Sequence, residues 1–205
     1  MSMRALVIVD VQNDFVTGGK LEVPHGEQVI PLVNQLSERF DLVVATQDWH
    51  PQTHKSFASN HRDKKPFDRI LLGGLEQVLW PDHCVQGSSG AEFHPQLSMN
   101  RVVSIFRKGM DPEIDSYSGF YDNGHKKTTG LAGYLRERNI ESVYVCGLAG
   151  DYCVYYTAKD ALQAGFKTVL IADATRAINA NDFEKAKQDI LRNGGKIWNS
   201  GEMQV

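Results

Sequence analysis

The stretch Gly147-Leu148-Ala149-Gly150-Asp151-Tyr152-Cys153-Val154 places a thiol where α/β proteins keep reactive groups. Ser142 to Cys146, just before it, is short, apolar and β-branched and predicts a buried strand; Tyr152 to Ala164 predicts a helix. Cys153 then falls in the first turn of that helix, where unpaired N–H groups and the helix dipole favour a thiolate and any oxyanion formed beside it. Asp10 directly follows the apolar run Ala5 to Val9, and Lys108 closes the run that begins at Ile105 and turns at Gly109. Taken singly, an aspartate after a strand either acts as a base or caps the next turn, and a strand-end lysine is usually solvated. Together, on three different strands, the three make a nucleophilic apparatus: Asp10 to take the thiol proton, Lys108 to hold negative charge, Cys153 to attack.

A second group suits a metal. Asp48 and His50 follow another strand, and in extended chain residues two apart point the same way, so both can grip one ion. Trp80-Pro81-Asp82-His83-Cys84 offers His83 as a third ligand. Asp plus two His with open positions suits a divalent transition metal, and zinc, iron and manganese all accept that set. The plainer alternative is that these histidines satisfy local hydrogen bonds. His54, His61, His94 and His125 compete for the same role. His54 is the first choice as an extra ligand or as a partner of one, while His125, beside Lys126 and Lys127, reads as solvated. Phe15, Trp49, Trp80 and Tyr117 either line a flat apolar pocket or pack loops. Cys84 and Cys146 read as small core residues.

The elements that must position these groups alternate. Ala5 to Val9 is a continuous apolar run, as in a central parallel strand covered on both faces. Gln28 to Phe40 carries apolar residues at helical spacing, and Leu42 to Ala45 is the next strand. From Asp48 to Met99 the pattern dissolves into a segment with four prolines and five histidines, and an irregular segment this long is either functional or contains small elements. Val102 to Phe106 resumes the sheet. Thr129 to Asn139 predicts a helix with Leu131 and Leu135 inward, Thr168 to Ala172 a strand, and Asp182 to Arg192 a helix capped by Asp182. The expected architecture is α/β: an open, mainly parallel sheet with helices on both faces, a Rossmann-like three-layer arrangement. One domain over residues 1–205 is expected, with an irregular metal- and substrate-binding insertion around 48–99.

The chain has 205 residues, 41% hydrophobic and 23% charged, with a formal net charge of −3. That balance suits a water-soluble globular domain and gives no reason to expect nucleic acid or an anionic membrane as partner. Three cysteines without a CxxC pair argue against a disulfide framework and for a reducing, cytoplasmic setting. No apolar stretch reaches membrane-spanning length.

Seven runs in order carry a resemblance: Val9 to Phe15, Gln47 to Pro51, His54 to Ala58, Trp80 to Gly87, Phe106 to Gly109, Asp115 to Phe120 and Gly147 to Val154. Together they resemble the nicotinamidases, within the isochorismatase-like cysteine hydrolases, from about Ala5 to Ala177. The resemblance implies an amidohydrolase acting on a linear amide, nicotinamide, and usually pyrazinamide too, in NAD salvage. It puts the catalytic triad on Asp10, Lys108 and Cys153 and the ligands of one divalent metal, zinc first and iron or manganese otherwise, on Asp48, His50 and His83. His54 falls where some members have a further ligand. It also implies a cis peptide at Leu148–Ala149, an oxyanion hole from the N–H groups of Ala149 and Cys153, and a substrate pocket formed by Phe15, Trp80, Tyr117 and Leu148. Gly150 departs from the pattern, since many relatives have threonine there. A homo-oligomer through the irregular segment is compatible with this reading. Rivals are an amidohydrolase of N-carbamoyl compounds, an isochorismatase, a silent metal-binding scaffold and a thiol switch. The filled metal trio, the cysteine itself and the lack of a nearby resolving cysteine weigh against them.

Overall fold

The structure, a computed structural model, describes residues 3–202; the outermost positions of the expected domain, 1–2 and 203–205, lie outside the described residues. Six parallel strands form the central sheet: β1 (Met3–Val9), β2 (Leu42–Asp48), β5 (Val102–Lys108), β6 (Ile140–Gly147), β7 (Lys167–Thr175) and β8 (Lys196–Trp198), in the order β5-β2-β1-β6-β7-β8. Between β2 and β5 lies an antiparallel hairpin, β3 (Arg69–Leu72) and β4 (Leu75–Val78). The helices are α1 (Val29–Ser37), α2 (Leu131–Glu137), α3 (Tyr155–Gln163) and α4 (Ala180–Arg192).

Alternation along β1 sorts its side chains into two cores. Leu6 and Ile8 join Val29, Val33 and Leu36 of α1, whereas Ala5, Val7 and Val9 join Leu131 and Leu135 of α2 and Ala158 and Ala161 of α3. Helices therefore cover both faces, as the continuous apolar strands require. The chain adds β2 and β5 on one side of β1 and β6 to β8 on the other, so the order reverses between β1 and β6. Open α/β sheets bind ligands at such a switch point, outside the carboxyl ends of the strands. β1 leads into Asp10 and β6 towards Cys153, and Asp48 and Lys108 are register partners at the ends of β2 and β5.

One open alternative is decided and two expectations need correction. The irregular segment contains the β3–β4 hairpin, turned by Gly73 and Gly74 with φ of 58° and 86°, the both-positive pair of a two-residue hairpin loop. The cap of α4 is Asn179, whose side chain accepts from the Asn181 and Asp182 N–H groups; Asp182 sits inside the first turn, where its charge favours the helix dipole. Cys153 lies not in an α-turn but in a π-turn, Gly150–Val154, that precedes α3. The Tyr152 and Val154 N–H groups both donate to the Ala149 carbonyl, at 3.1 and 3.0 Å.

Candidate active site

The strand ends bring Asp10, Lys108 and Cys153 together. The Lys108 ammonium, 2% exposed, points its hydrogens at Asp48 Oδ1 (2.9 Å), the Ser116 carbonyl (3.1 Å) and Cys153 Sγ (3.4 Å). Asp10 Oδ2 lies 2.8 Å from the same nitrogen but without hydrogen-bond alignment, so this oxygen keeps an uncommitted lone pair. The other oxygen, Oδ1, accepts the Thr46 hydroxyl at 2.6 Å. Asp10 adopts φ 47°, a left-handed conformation that aspartate tolerates better than most residues.

Burial pushes the Asp10 carboxyl up, and Lys108 only partly offsets this. Burial also acts to lower Lys108, but Asp10 and Asp48 outweigh it and hold the ammonium well above the usual lysine value. For Cys153 burial dominates over Lys108, so the thiol is pushed well up. Burial thus works against the thiolate that a helix N-terminus favours, and leaves a role for the base expected at Asp10. Replacing Thr46 with valine removes a hydrogen bond that favours ionised Asp10. Activity that needs the carboxylate is lost as pH falls through its pKa, so in Thr46→Val the acid limb of kcat/KM is expected about one pH unit or more higher, a hydrogen bond to a charged group being worth roughly 1.5–3 kcal/mol. A pH–rate profile checks this; an unmoved limb excludes Asp10 as the group titrated.

The second trio also converges. His50 Nδ1 lies 2.8 Å from the Gly109 carbonyl and His83 Nδ1 2.8 Å from the Pro81 carbonyl. A carbonyl only accepts, so each Nδ1 carries a hydrogen; a neutral ring then presents a lone pair at Nε2, while the charged ring, which Asp48 favours at His50, donates from it. The two Nε2 atoms lie 2.9 and 3.3 Å from one oxygen, Asp48 Oδ2. With both rings neutral, three electron pairs facing one another this closely, all buried, fit a shared cation. Burial raises Asp48, but His50 and Lys108 prevail and hold it well below the usual carboxylate range. His54 is fully buried, and burial pushes its imidazole down to about 4. Its Nδ1 accepts the Ser56 N–H at 3.1 Å. The other candidate histidines lie apart: His61 bonds the Lys55 carbonyl, His94 the Gln96 N–H, and His125, expected in solvent, is half-exposed, stacked on Tyr121 and 3.3 Å from Asp160.

Cys153 of the first trio and all of the second open on one pocket, lined further by Phe15, Trp80, Tyr117, Ala149, Tyr152 and Ile178, with Leu21 and Asp115 completing it. Its enclosed space is about 20 Å³, room for about one water. A larger open cleft of about 570 Å³ borders Lys108 from the other side but includes neither Cys153 nor the histidines. Of the expected pocket residues, Phe15, Trp80 and Tyr117 are in place. Leu148 is not: its side chain is fully buried in the core. Trp49 packs beneath the Arg107 guanidinium, 4.0 Å from the ring centre. Cys84 and Cys146 are buried, as read from the sequence.

Tyr152, Ile178, Leu21 and Asp115 were not foreseen. Ile178 arrives because buried Asp151 accepts the Ile178 and Asn179 N–H groups at 3.0 and 2.8 Å. Asp115 and Tyr117 are held from the hairpin, where Gln77 Nε2 donates to Asp115 Oδ2 and to the Tyr117 hydroxyl, each at 3.0 Å. The glycine pair at 73–74 was the one available signal for that hairpin.

The Leu148–Ala149 peptide is cis. The Leu148 N–H donates to Val9 (2.9 Å) and the Gly150 N–H to Arg176 (2.7 Å), whereas the Ala149 N–H between them has no backbone acceptor among the described residues. Gly150 is fitted to α4: a Cβ there would lie 2.9 Å from both Phe183 Cε2 and Thr175 Cγ2. Gly150→Thr is therefore expected to cost about 1–3 kcal/mol by overpacking. The loss should be smaller in a Phe183→Ala background, as a double-mutant cycle on urea unfolding would measure.

Comparison with known proteins agrees with this geometry. An isochorismatase domain is matched over residues 4–200, and the chain belongs to the isochorismatase family. Within that family its relatives include nicotinamidases. It is 51% identical over 191 residues to the nicotinamidase of Acinetobacter baylyi, covering 93% of this chain and 89% of that protein. The nicotinamidase and pyrazinamidase of Acinetobacter baumanii superposes with a TM-score of 0.96 at 48% identity, covering 100% of this chain and 99% of that one. The pyrazinamidase of Pyrococcus horikoshii, solved in complex with zinc, superposes with a TM-score of 0.78 at 40% identity, covering 96% and 98%.

Proposed function

We propose that this protein hydrolyses nicotinamide to nicotinate and ammonia, and pyrazinamide by the same route, through a thioester on Cys153. The observation that carries it is the buried ammonium of Lys108, which touches Cys153 Sγ and lies 2.8 Å from Asp10 and 2.9 Å from Asp48 of the metal trio. It fixes the distance between nucleophile and substrate anchor. Asp10 Oδ2 takes the Cys153 proton, the sulfur bonds to the carboxamide carbon, and Lys108 stabilises the thiolate as it forms. The Ala149 and Cys153 N–H groups receive the oxyanion. As the C–N bond breaks, Asp10 returns its proton to the departing ammonia. Water then attacks the thioester, Asp10 takes its proton, and the C–S bond breaks to give nicotinate and the thiol.

Asp48, His50 and His83 would hold a divalent metal, zinc by analogy with the Pyrococcus relative, which supplies a Lewis-acidic anchor for the pyridine nitrogen when bound. Phe15, Trp80 and Tyr117 sandwich the ring. The product feeds NAD salvage, and three free cysteines suit the reducing cytoplasm. Among the described residues no helix is long and apolar enough to cross a membrane.

The test is ammonia release from nicotinamide by metal-loaded protein beside a chelated sample. Release that falls on chelation and returns with zinc, manganese or iron(II) is expected, and the order of recovery identifies the metal. A folded, metal-loaded protein that releases no ammonia from nicotinamide or pyrazinamide would contradict the proposal.

A further inference from the structure

His54 and Asp115 stand beside the metal trio and take no part in the steps above. His54 is fully buried and Asp115 is 3% exposed. The Ser56 backbone N–H, which can only donate, bonds His54 Nδ1 at 3.1 Å, and the Ser56 hydroxyl lies 2.7 Å from the same atom. Nδ1 therefore carries the lone pair, and the neutral ring carries its hydrogen on Nε2. A nitrogen bearing hydrogen is a donor and cannot ligate a metal. That Nε2 finds no hydrogen-bond partner, although an unmade buried donor costs roughly 1–3 kcal/mol.

Asp115 is anchored on both oxygens, Oδ1 by the Ser116 N–H at 2.7 Å and Oδ2 by Gln77 at 3.0 Å, and each oxygen retains a second lone pair. Candidate ligand atoms of His50, His54 and Asp115 all lie within 4.8 Å of one another. His54 Nε2 makes no direct hydrogen bond to Asp115, yet a ring nitrogen of His54 lies within 4.8 Å of an Asp115 oxygen, a span that one small oxygen species can bridge. What fills it must accept from His54 and donate to Asp115. Water does both; a second metal ion does neither, because it would face an N–H.

We infer that His54 and Asp115 together hold one water molecule on the metal bound by Asp48, His50 and His83, His54 donating to it and Asp115 accepting from it, and that neither residue ligates the metal. Both are then positioning residues, with Gln77 tying their water to the β3–β4 hairpin. The inference rests on the metal-site reading given under the proposed function.

The test is affinity for cobalt(II), measured by competition with a chromogenic chelator, together with the visible spectrum of the cobalt protein. The proteins compared are wild type, His54→Gln, His54→Leu and Asp115→Ala, with melting of the metal-free proteins as a check on folding. His54→Leu and Asp115→Ala are expected to bind cobalt about 10–100-fold more weakly. His54→Gln, which keeps an N–H near the Nε2 position, should retain near-wild-type affinity and spectrum. Affinity lost in His54→Gln as fully as in His54→Leu, with an altered spectrum, would make His54 a direct ligand and overturn the inference; so would wild-type affinity in His54→Leu and Asp115→Ala. If His54→Leu does not fold, the spectrum of His54→Gln decides between the same results. Failure of the wild type to bind cobalt is a different result, and it removes the metal-site reading itself.

Discussion

Cys153→Ala is expected to lose ammonia release from nicotinamide by about 10⁵–10⁶-fold, the scale seen when a hydrolase loses its nucleophile, while still binding nicotinate. Cys153 is 7% exposed and lines the pocket, and the alanine that replaces it cannot form the thioester. Lys108 keeps Asp10, Asp48 and the Ser116 carbonyl as partners, so the surrounding fold and the aromatic walls stay in place. Tryptophan fluorescence, with Trp80 in the pocket wall, follows nicotinate binding, and a coupled assay follows ammonia. Turnover retained above about a hundredth of wild type would exceed what oxyanion and binding interactions alone provide and would assign the attack to another group.

Lys108→Met has the second large effect, and it falls on stability as well as rate. The substitution conserves the length of the side chain but leaves Asp10 and Asp48, both buried, without the cation between them. Removing one partner of a buried ionic group typically costs 3–5 kcal/mol, because the other charge stays behind unpaired. The pH dependence has a definite sign. Lys108 lowers Asp10, so its loss raises the folded-state pKa of Asp10 further above the unfolded value. A carboxyl raised on folding is favourable at low pH and loses that contribution as pH rises through its folded pKa. The deficit of Lys108→Met in urea unfolding, with chelator present throughout, should therefore be largest near pH 8 and narrow towards pH 5. A deficit that widens on acidification would contradict the placement of Lys108 between two carboxylates.

The convergence of Asp10, Lys108 and Cys153 was readable because a parallel sheet delivers the ends of its strands to one edge. Asp10, Lys108 and Cys153 each close or follow an apolar run, and any doubly wound arrangement must bring them near one another. The metal trio was readable for a similar reason: Asp48 and His50 are two apart in extended chain, and Trp80-Pro81 stiffens the loop that carries His83. Leu148 was misplaced because its backbone belongs to the nucleophile loop while its side chain turns into the core. Asp115, Leu21, Tyr152 and Ile178 reach the pocket through turns and long-range hydrogen bonds, from Gln77 and Asp151 above all, which no local periodicity reports. The burial of Cys153 could not be read either: a first-turn position favours the thiolate, and burial works against it.

The most direct measurement of the central claim is mass spectrometry of acid-quenched enzyme taken during turnover of nicotinamide, with the modified peptide mapped. A nicotinoyl thioester on Cys153, formed together with the first equivalent of ammonia, is the expected result. An adduct on a different side chain, or full turnover with Cys153 replaced by alanine, would contradict it.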